Sequence, residues 1–234
     1  MTPRCLLALC LVLLSLSSQA QTIAESMALF DDGKISEAVA QLNKLSQGGD
    51  AEAQNMLGVL YDNGQGVAQD YKLARVWFEK AAAQGHASAQ YHLGFMYEAG
   101  RGVAQSDKQA LHWYGLAAKA ANPSAQYRLA VMSLNGYGVK PNPVEARKWF
   151  AQAAAQGDPH AQRQLGTLYA KGLGVTQNKI LAYMWLDIAR GLGEQSATRT
   201  LAELSETMSK DLVARAQELA RQCIAKNYQG CEAT

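Results

Sequence analysis

The chain has 234 residues, of which 48% are hydrophobic and 18% are charged, which is the composition of an ordinary globular protein and argues against intrinsic disorder. Its 22 Lys and Arg residues nearly balance its 20 Asp and Glu residues, and the net charge is +2. The basic residues are scattered among acidic ones, whereas binding to nucleic acid needs a concentrated basic stripe. We therefore expect no nucleic-acid partner.

The first twenty residues predict a secretory signal peptide. Arg4 precedes an apolar stretch from Cys5 to Leu16, and the small residues Ser18 and Ala20 suit the pockets of a signal peptidase. We expect cleavage after Ala20 and a periplasmic or secreted mature protein. A transmembrane helix is the alternative, but about 20 apolar residues are needed to span a bilayer and this stretch is shorter. No later segment is long and apolar enough to span a bilayer, so we expect no stable membrane insertion after cleavage.

The rest of the chain is dominated by an internal repeat of 36 residues. All four tryptophans lie at this spacing, at Trp77, Trp113, Trp149 and Trp185. Other columns are identical in all four copies at the same period, among them those that begin with Ala53, Gln54, Leu57, Gly64, Gly66, Val67, Ala74 and Ala81. Such a period indicates a stacked array, in which each unit buries its apolar face against its neighbours. The sequence predicts this array over residues 53–193.

Each copy predicts a pair of antiparallel helices, A and B. Helix A begins after a residue that can cap a helix start, at Asp50, His86, Asn122 and Asp158, and the segment Gly-x-Gly-Val ends it. Helix B begins after a second set of capping residues, at Asp70, Ser106, Asn142 and Asn178. In the first copy helix B carries its apolar face at Ala74, Trp77, Phe78 and Ala81. We expect an all-α fold in which each tryptophan fills the gap between successive units.

The repeated unit has the pattern Ala-x-x-x-Leu-Gly-x-x-Tyr-x-x-Gly-x-Gly-Val, followed by Ala-x-x-Trp-aromatic-x-x-Ala-Ala. This pattern resembles the Sel-one-like repeat (SLR) family, a branch of the tetratricopeptide superfamily, and the tail resembles that of secreted bacterial members. The resemblance implies an α-solenoid with a right-handed superhelix and a role in binding other proteins. The third copy departs from the pattern, with Ala130 for the helical glycine and Ser133 for the tyrosine. We expect a looser contact between its two helices.

The segments that flank the repeats are also expected to be helical. Residues 21–52 look like a tetratricopeptide hairpin with a short turn, which places Ala38 in the same register as Ala74. Residues 194–234 are expected to form capping helices and a tail. After signal cleavage Cys223 and Cys231 are the remaining cysteines, and an even pair in an oxidising compartment predicts a disulfide. Two free thiols are the alternative.

The resemblance also selects a candidate binding face. In the superfamily one face of helix A lines the concave side of the superhelix, which corresponds to the columns that begin with Asn55, Val59 and Asp62. Their spacing of i, i+4 and i+7 places them on one side of the helix. The predicted groove comprises Asn55, Val59, Asp62, Tyr91, Phe95, Glu98, Tyr127, Val131, Leu134, Arg163 and Thr167. Tyrosine and arginine supply much of the energy at protein interfaces, so we expect a protein or peptide partner. The alternative is that these tyrosines are core residues between adjacent A helices.

No pattern in the sequence predicts catalysis. The histidines His86, His92, His112 and His160 lack the spacing that would place two metal ligands on one helical face. We therefore expect no catalytic residue, metal or cofactor, and we interpret the protein as a monomeric adaptor. The resemblance extends to cysteine-rich SLR proteins, which implies penicillin binding or lactam hydrolysis as an alternative function. The repeats of this chain contain no cysteine, however, so this part of the resemblance is weak. A structural spacer or filament is a further alternative, because solenoids present matched ends.

Overall fold

The computed structural model describes residues 22–232, and this part of the chain is all helical, without a strand. Helix α1 covers residues 22–31. It is followed by α2 Ile35–Gln47, α3 Ala51–Asn63, α4 Tyr71–Ala83, α5 Ala87–Ala99, α6 Asp107–Lys119, α7 Pro123–Asn135, α8 Pro143–Ala154, α9 Pro159–Lys171, α10 Lys179–Gly191, α11 Ala197–Ser205 and α12 Lys210–Ala225. The predicted signal peptide lies outside the described residues. None of the helices described is both long and apolar enough to cross a membrane.

The chain divides into two compact units, of which the first ends at Gln105 and the second begins at Ser106. In the first unit α2 packs on α3, α3 on α4 and α4 on α5. In the second unit each helix from α6 to α9 packs on the next, and α10 packs on both α11 and α12. The predicted all-α repeat fold is confirmed.

The predicted capping residues begin all eight repeat helices. In each A helix the cap accepts a hydrogen bond from the backbone N–H three residues later, and the caps are Asp50, His86, Asn122 and Asp158. The B helices begin in the same way after Asp70, Ser106, Asn142 and Asn178. Each cap satisfies one of the backbone N–H groups that a helix start leaves without a partner. Helices A and B therefore begin at the same positions of the repeat in every copy.

The second glycine of the Gly-x-Gly-Val segment has a packing role that the sequence did not reveal. A Cβ atom on Gly102 would come within 2.8 Å of the Tyr71 carbonyl oxygen, and one on Gly138 within 2.8 Å of Asp107 Cβ. Equivalent close approaches join Gly66 to Ile35 and Gly174 to Pro143. Each loop therefore lies directly on the start of the B helix of the preceding pair, where α2 serves as the B helix of the N-terminal hairpin. We call these four helices, α2, α4, α6 and α8, the B-type helices. A side chain on the glycine would push the loop and the helix apart.

The residue that follows each tryptophan belongs to the fully buried core of the repeats. These residues are almost completely buried, namely Phe78, Tyr114, Phe150 and Leu186. Trp113 and Trp149 are only half-buried. Trp77 does fill the gap between its own copy and the preceding helix α2, because it clusters with residues of α2 and α3, namely Val39, Leu42, Leu57 and Leu60. The predicted burial of the tryptophans thus holds for Trp77 and also for Trp185, which is 2% exposed and belongs to the core cluster of the second unit.

A small residue in helix A makes room for the buried residue that follows the tryptophan in helix B. A Cβ atom on Gly58 would come within 2.6 Å of Phe78 Cδ1, and one on Gly166 within 2.8 Å of Leu186 Cγ. In the third copy Ala130 stands at this position, and α7 packs on α8 as extensively as α3 packs on α4. The looser contact expected there is therefore wrong, since Ala130 and Phe150 are both fully buried in one core cluster.

The invariant glutamine of helix A ties each copy to the helix before it. Gln54 Nε2 donates to the Ser46 carbonyl oxygen at 3.0 Å, and Gln162 Nε2 donates to that of Ala154 at 3.1 Å. Gln90 and Gln126 make the same contact in their own copies. The acceptor lies in the last turn of a helix, where carbonyl groups have no partner within the helix. These buried side chains therefore complete the end of the preceding helix.

The other end of this amide is satisfied in only some copies. Gln84, at the end of α4, donates its Nε2 to Gln54 Oε1 at 2.8 Å, and Gln156 does the same for Gln126. In the fourth copy this position is Leu192, which is 45% exposed, and Gln162 Oε1 is buried without a hydrogen-bond partner. The fourth copy therefore lacks the hydrogen bond that Gln84 and Gln156 donate to the invariant glutamine in the first and third copies.

Replacing Leu192 with Gln should stabilise the protein. Leu192 and Gln84 both have a φ of −88° at the end of their helices, so the new side chain can follow the path of Gln84. Satisfying Gln162 Oε1 should add about 1 kcal/mol to the free energy of unfolding, a rise in Tm of about 2–4 °C by circular dichroism. The control is Leu192→Ala, which removes the exposed leucine without adding a donor. An equal gain in the alanine variant would show that the hydrogen bond is not the cause.

Candidate functional site

The predicted groove residues are distributed over both compact units. On the first unit Asn55, Val59 and Asp62 lie on α3, and Tyr91, Phe95 and Glu98 lie on α5. On the second unit Tyr127, Val131 and Leu134 lie on α7, and Arg163 and Thr167 lie on α9. Asn55 is buried and the other ten are half-buried. Their columns are therefore neither fully core nor fully exposed, and the two units need separate descriptions.

On the first unit four of the predicted residues line one cavity of about 250 Å³, which we call the α3–α5 cleft. They are Val59, Asp62, Tyr91 and Phe95, and the lining is completed by Asn63, His92 and Arg101. Val59 also lines a second cavity together with Asn55. The structure thus brings the predicted residues of α3 and α5 together into a lined surface with aromatic and charged walls.

Arg101 is one of three cleft residues that the sequence did not assign to the groove, and it pairs with Asp62. Its Nη1 lies 3.3 Å from Asp62 Oδ2, and its guanidinium carbon lies 4.9 Å from the centre of the Phe95 ring. Cationic groups stack favourably on aromatic faces at this range. The Asp62 side chain is only 16% exposed and its Oδ1 is buried without a hydrogen-bond partner, whereas the Arg101 side chain is 39% exposed. Asp62 Oδ1 therefore has an unused acceptor position, and the exposed part of the Arg101 guanidinium can donate to a further group.

His92 forms a neutral wall of the same cleft. Its ring stacks on Phe78, with 4.7 Å between ring centres and 20° between the planes. Burial lowers the pKa of His92 from its ordinary value of 6.5, because the charged imidazolium loses its water, and the negative charge of Asp62 opposes this only in part. The ring is therefore uncharged at neutral pH and contributes apolar surface.

On the second unit the predicted groove residues are used mainly for packing. Tyr127, Val131 and Leu134 pack against the core cluster, and the Tyr127 ring centre lies 5.7 Å from that of Phe150. Thr167 Oγ1 donates to the Arg163 carbonyl oxygen. For Tyr127 the alternative interpretation, in which these tyrosines are core residues, fits the observed contacts.

Arg163 belongs to a cluster of charges on the second unit. Its Nε lies 3.7 Å from Glu194 Oε1, and Glu194 also pairs with His160. Hydrogen bonds from Ser196 and then from His160 lower the pKa of the Glu194 carboxyl group. Arg163 is thus held by an internal partner.

The predicted disulfide between Cys223 and Cys231 is present, with the two Cα atoms 5.3 Å apart. It closes the loop that carries the tail back onto α8, where Gln229 Nε2 donates to the Ala155 carbonyl oxygen at 2.9 Å. Arg147 of α8 also pairs with Glu232 at 3.0 Å. Among residues 22–232 no group of three or more His, Cys, Asp or Glu side chains is arranged to hold a metal ion.

The lowered pKa of His92 predicts part of the acid sensitivity of the protein. In the unfolded chain His92 takes up a proton near pH 6.5, whereas the folded protein resists protonation until a lower pH, so acidification favours unfolding. The variant His92→Phe keeps a ring on Phe78 and should lose less thermal stability than the parent between pH 7 and pH 5. The control is His112→Phe, at an exposed position, which should match the parent. If His92→Phe lost as much thermal stability as the parent between pH 7 and pH 5, His92 would not be a source of the acid sensitivity.

Comparison with solved structures shows the same architecture. A protective antigen present in uropathogenic Escherichia coli strains, which displays an SLR fold, is 32% identical, with a TM-score of 0.75 over 84% of this chain and 42% of the antigen. A Sel1 repeat protein from Oxalobacter formigenes is also 32% identical, with a TM-score of 0.72 over 77% of this chain and 74% of that protein. The chain thus spans less than half of the antigen. Comparison with curated proteins gives no match.

A family model places the repeats along the sequence. The Sel1 repeat model matches residues 51–86, 87–122, 123–158 and 159–193, which together are more than half of the chain. These boundaries coincide with the starts of α3, α5, α7 and α9. The motif, the fold and the two relatives agree, and the chain belongs to the Sel1 repeat (SLR) family.

Proposed function

We propose that this protein is an adaptor that binds a partner protein or peptide in the α3–α5 cleft. Sel1 repeat proteins are generally scaffolds for protein interactions, and four similar copies match the family model here. The observation that carries the proposal is the incompletely satisfied pair of Asp62 and Arg101 beside half-buried aromatic rings. Aromatic residues and arginine are enriched among the residues that dominate binding energy.

The cleft offers a partner both apolar and polar contacts. Tyr91 and Phe95 present ring surface that loses water on binding, which is the main favourable contribution at most interfaces. Asp62 Oδ1 can accept a hydrogen bond from a backbone or side-chain N–H of the partner, and Arg101 can donate. A short helix or extended segment with an apolar residue next to a donor matches this arrangement.

Two observations support a location outside the cytoplasm, in the periplasm or beyond the cell. The disulfide between Cys223 and Cys231 is a type of bond that persists in oxidising compartments. The N-terminal sequence has the three-part composition of a signal peptide. We further propose that the protein is a monomer, which light scattering over a concentration series would test.

The cleft can be tested by capture of a partner from envelope extract. The purified chain should retain a specific partner, and the double variant Tyr91→Ala with Phe95→Ala should weaken the affinity for that partner at least about tenfold, which corresponds to about 1.4 kcal/mol. The control is Val76→Ala, which removes exposed apolar surface from α4. If the folded double variant binds the same partner as tightly as the parent, the cleft is not the binding site.

A further inference from the structure

A second and larger cavity lies on the first unit, between α1, α2 and α3. Its volume is about 430 Å³, and we call it the α1–α3 pocket. Its apolar wall consists of Met27, Phe30, Ile35, Met56, Val59 and Leu60. Met27 and Ile35 are more than 40% exposed although both are large and apolar. The pocket therefore presents apolar surface that the described part of the chain leaves in contact with water.

This pocket and the α3–α5 cleft are related by one repeat. Asn55 lines the pocket and Tyr91 lines the cleft, and the two residues occupy the same position in successive copies. The cleft, with its tyrosine ring, has a volume of about 250 Å³, whereas the pocket with asparagine has about 430 Å³. Asn55 and Val59 of the pocket are both smaller than Tyr91 and Phe95, which occupy the same two positions in the cleft, and the pocket has room for an aromatic ring.

Asn55 adds one hydrogen-bond acceptor to this apolar site. Asn55 as a residue is 93% buried, since only 7% of it is exposed, and its Oδ1 is buried without a hydrogen-bond partner. The orientation of the amide follows from Glu52, whose pKa is lowered by hydrogen bonds from His86 and also from Asn55. A carboxylate accepts only from the Nδ2 end of the amide, so Oδ1 is the end that remains free.

We propose that the α1–α3 pocket binds an aromatic group that carries one hydrogen-bond donor, such as the indole side chain of a tryptophan in the partner. The ring would take the space that Tyr91 occupies in the next copy, and its N–H would donate to Asn55 Oδ1. The thioethers of Met27 and Met56 adapt to aromatic rings and contact them favourably. This inference rests on the proposed function, because the pocket and the α3–α5 cleft share Val59 and one partner segment can reach both.

The test compares indole with 1-methylindole, which has a similar shape but no N–H donor. Each compound is titrated into the purified chain, and binding is followed by NMR shifts of the backbone amides that line the pocket, such as those of Met27, Asn55 and Gly66. Indole should bind saturably, with a Kd about five- to tenfold lower than that of 1-methylindole. In Asn55→Leu this preference should disappear.

A matched variant tests the shape of the pocket. Asn55→Tyr introduces the residue of the second copy and should abolish the binding of both compounds while Tm is retained. Phe95→Ala, in the α3–α5 cleft, should leave indole binding unchanged. Absence of saturable shifts at the pocket in the parent, or equal Kd values for the two compounds, overturns the inference.

The two proposals can fail separately. If indole binds as expected but Tyr91→Ala with Phe95→Ala still captures the partner fully, the cleft is wrong and the pocket stands as the aromatic site. If that variant loses the partner but indole shows no saturable binding in the parent, the pocket is wrong and the cleft stands.

Discussion

The structure depends on the contact between a small residue in helix A and a fully buried side chain in helix B, which the first, third and fourth copies share. Gly58 lies against Phe78 and Gly166 against Leu186, so closely that a further methyl group would overlap the facing side chain. Close approach of two helices on one side fixes which residues of helix A face the core. The residues of the columns that begin with Asn55, Val59 and Asp62 differ from copy to copy beside this contact, and in the third copy Tyr127 packs against Phe150.

Hydrogen bonds then fix the position of each helical pair relative to the one before it. The buried glutamine of helix A completes the end of the preceding helix, and the second glycine of each loop lies on the start of the preceding B-type helix. Buried amides of this kind are directional, so they specify one arrangement where apolar contacts alone would allow sliding. On the first unit this arrangement places two lined cavities one repeat apart, and the first has Asn55 and Val59 where the second has Tyr91 and Phe95.

Much of the fold could be predicted from the sequence, because its signals are local or periodic. The caps Asp50 and Asn142 each act within three residues, and the invariant columns repeat every 36 residues. The family resemblance also selected four residues of α3 and α5 that line one cavity, namely Val59, Asp62, Tyr91 and Phe95. The contrast between Trp149 and the more deeply buried Phe150 could not be predicted, because both are large apolar residues on adjacent positions of one helix.

The site was less predictable because its key features depend on variable positions and distant contacts. Arg101 lies between two invariant glycines, and only the folded chain shows that it reaches Asp62, 39 residues away. The free acceptor of Asn55 depends on Glu52, whose other partner is His86. The resemblance assigned Arg163 to the groove through the column that begins with Asn55, but its contact with Glu194 joins separate segments of the chain.

The central claim is that the invariant columns carry stability and the variable face carries binding. It is tested most directly by giving the first copy the face of the second, in the triple variant Asn55→Tyr, Val59→Phe and Asp62→Glu, and measuring its free energy of unfolding in urea. The account predicts a value within about 1 kcal/mol of the parent, because the framework contacts of Gly58, Gln54 and Trp77 are untouched. A loss of more than about 3 kcal/mol, the range of core disruption, would contradict it.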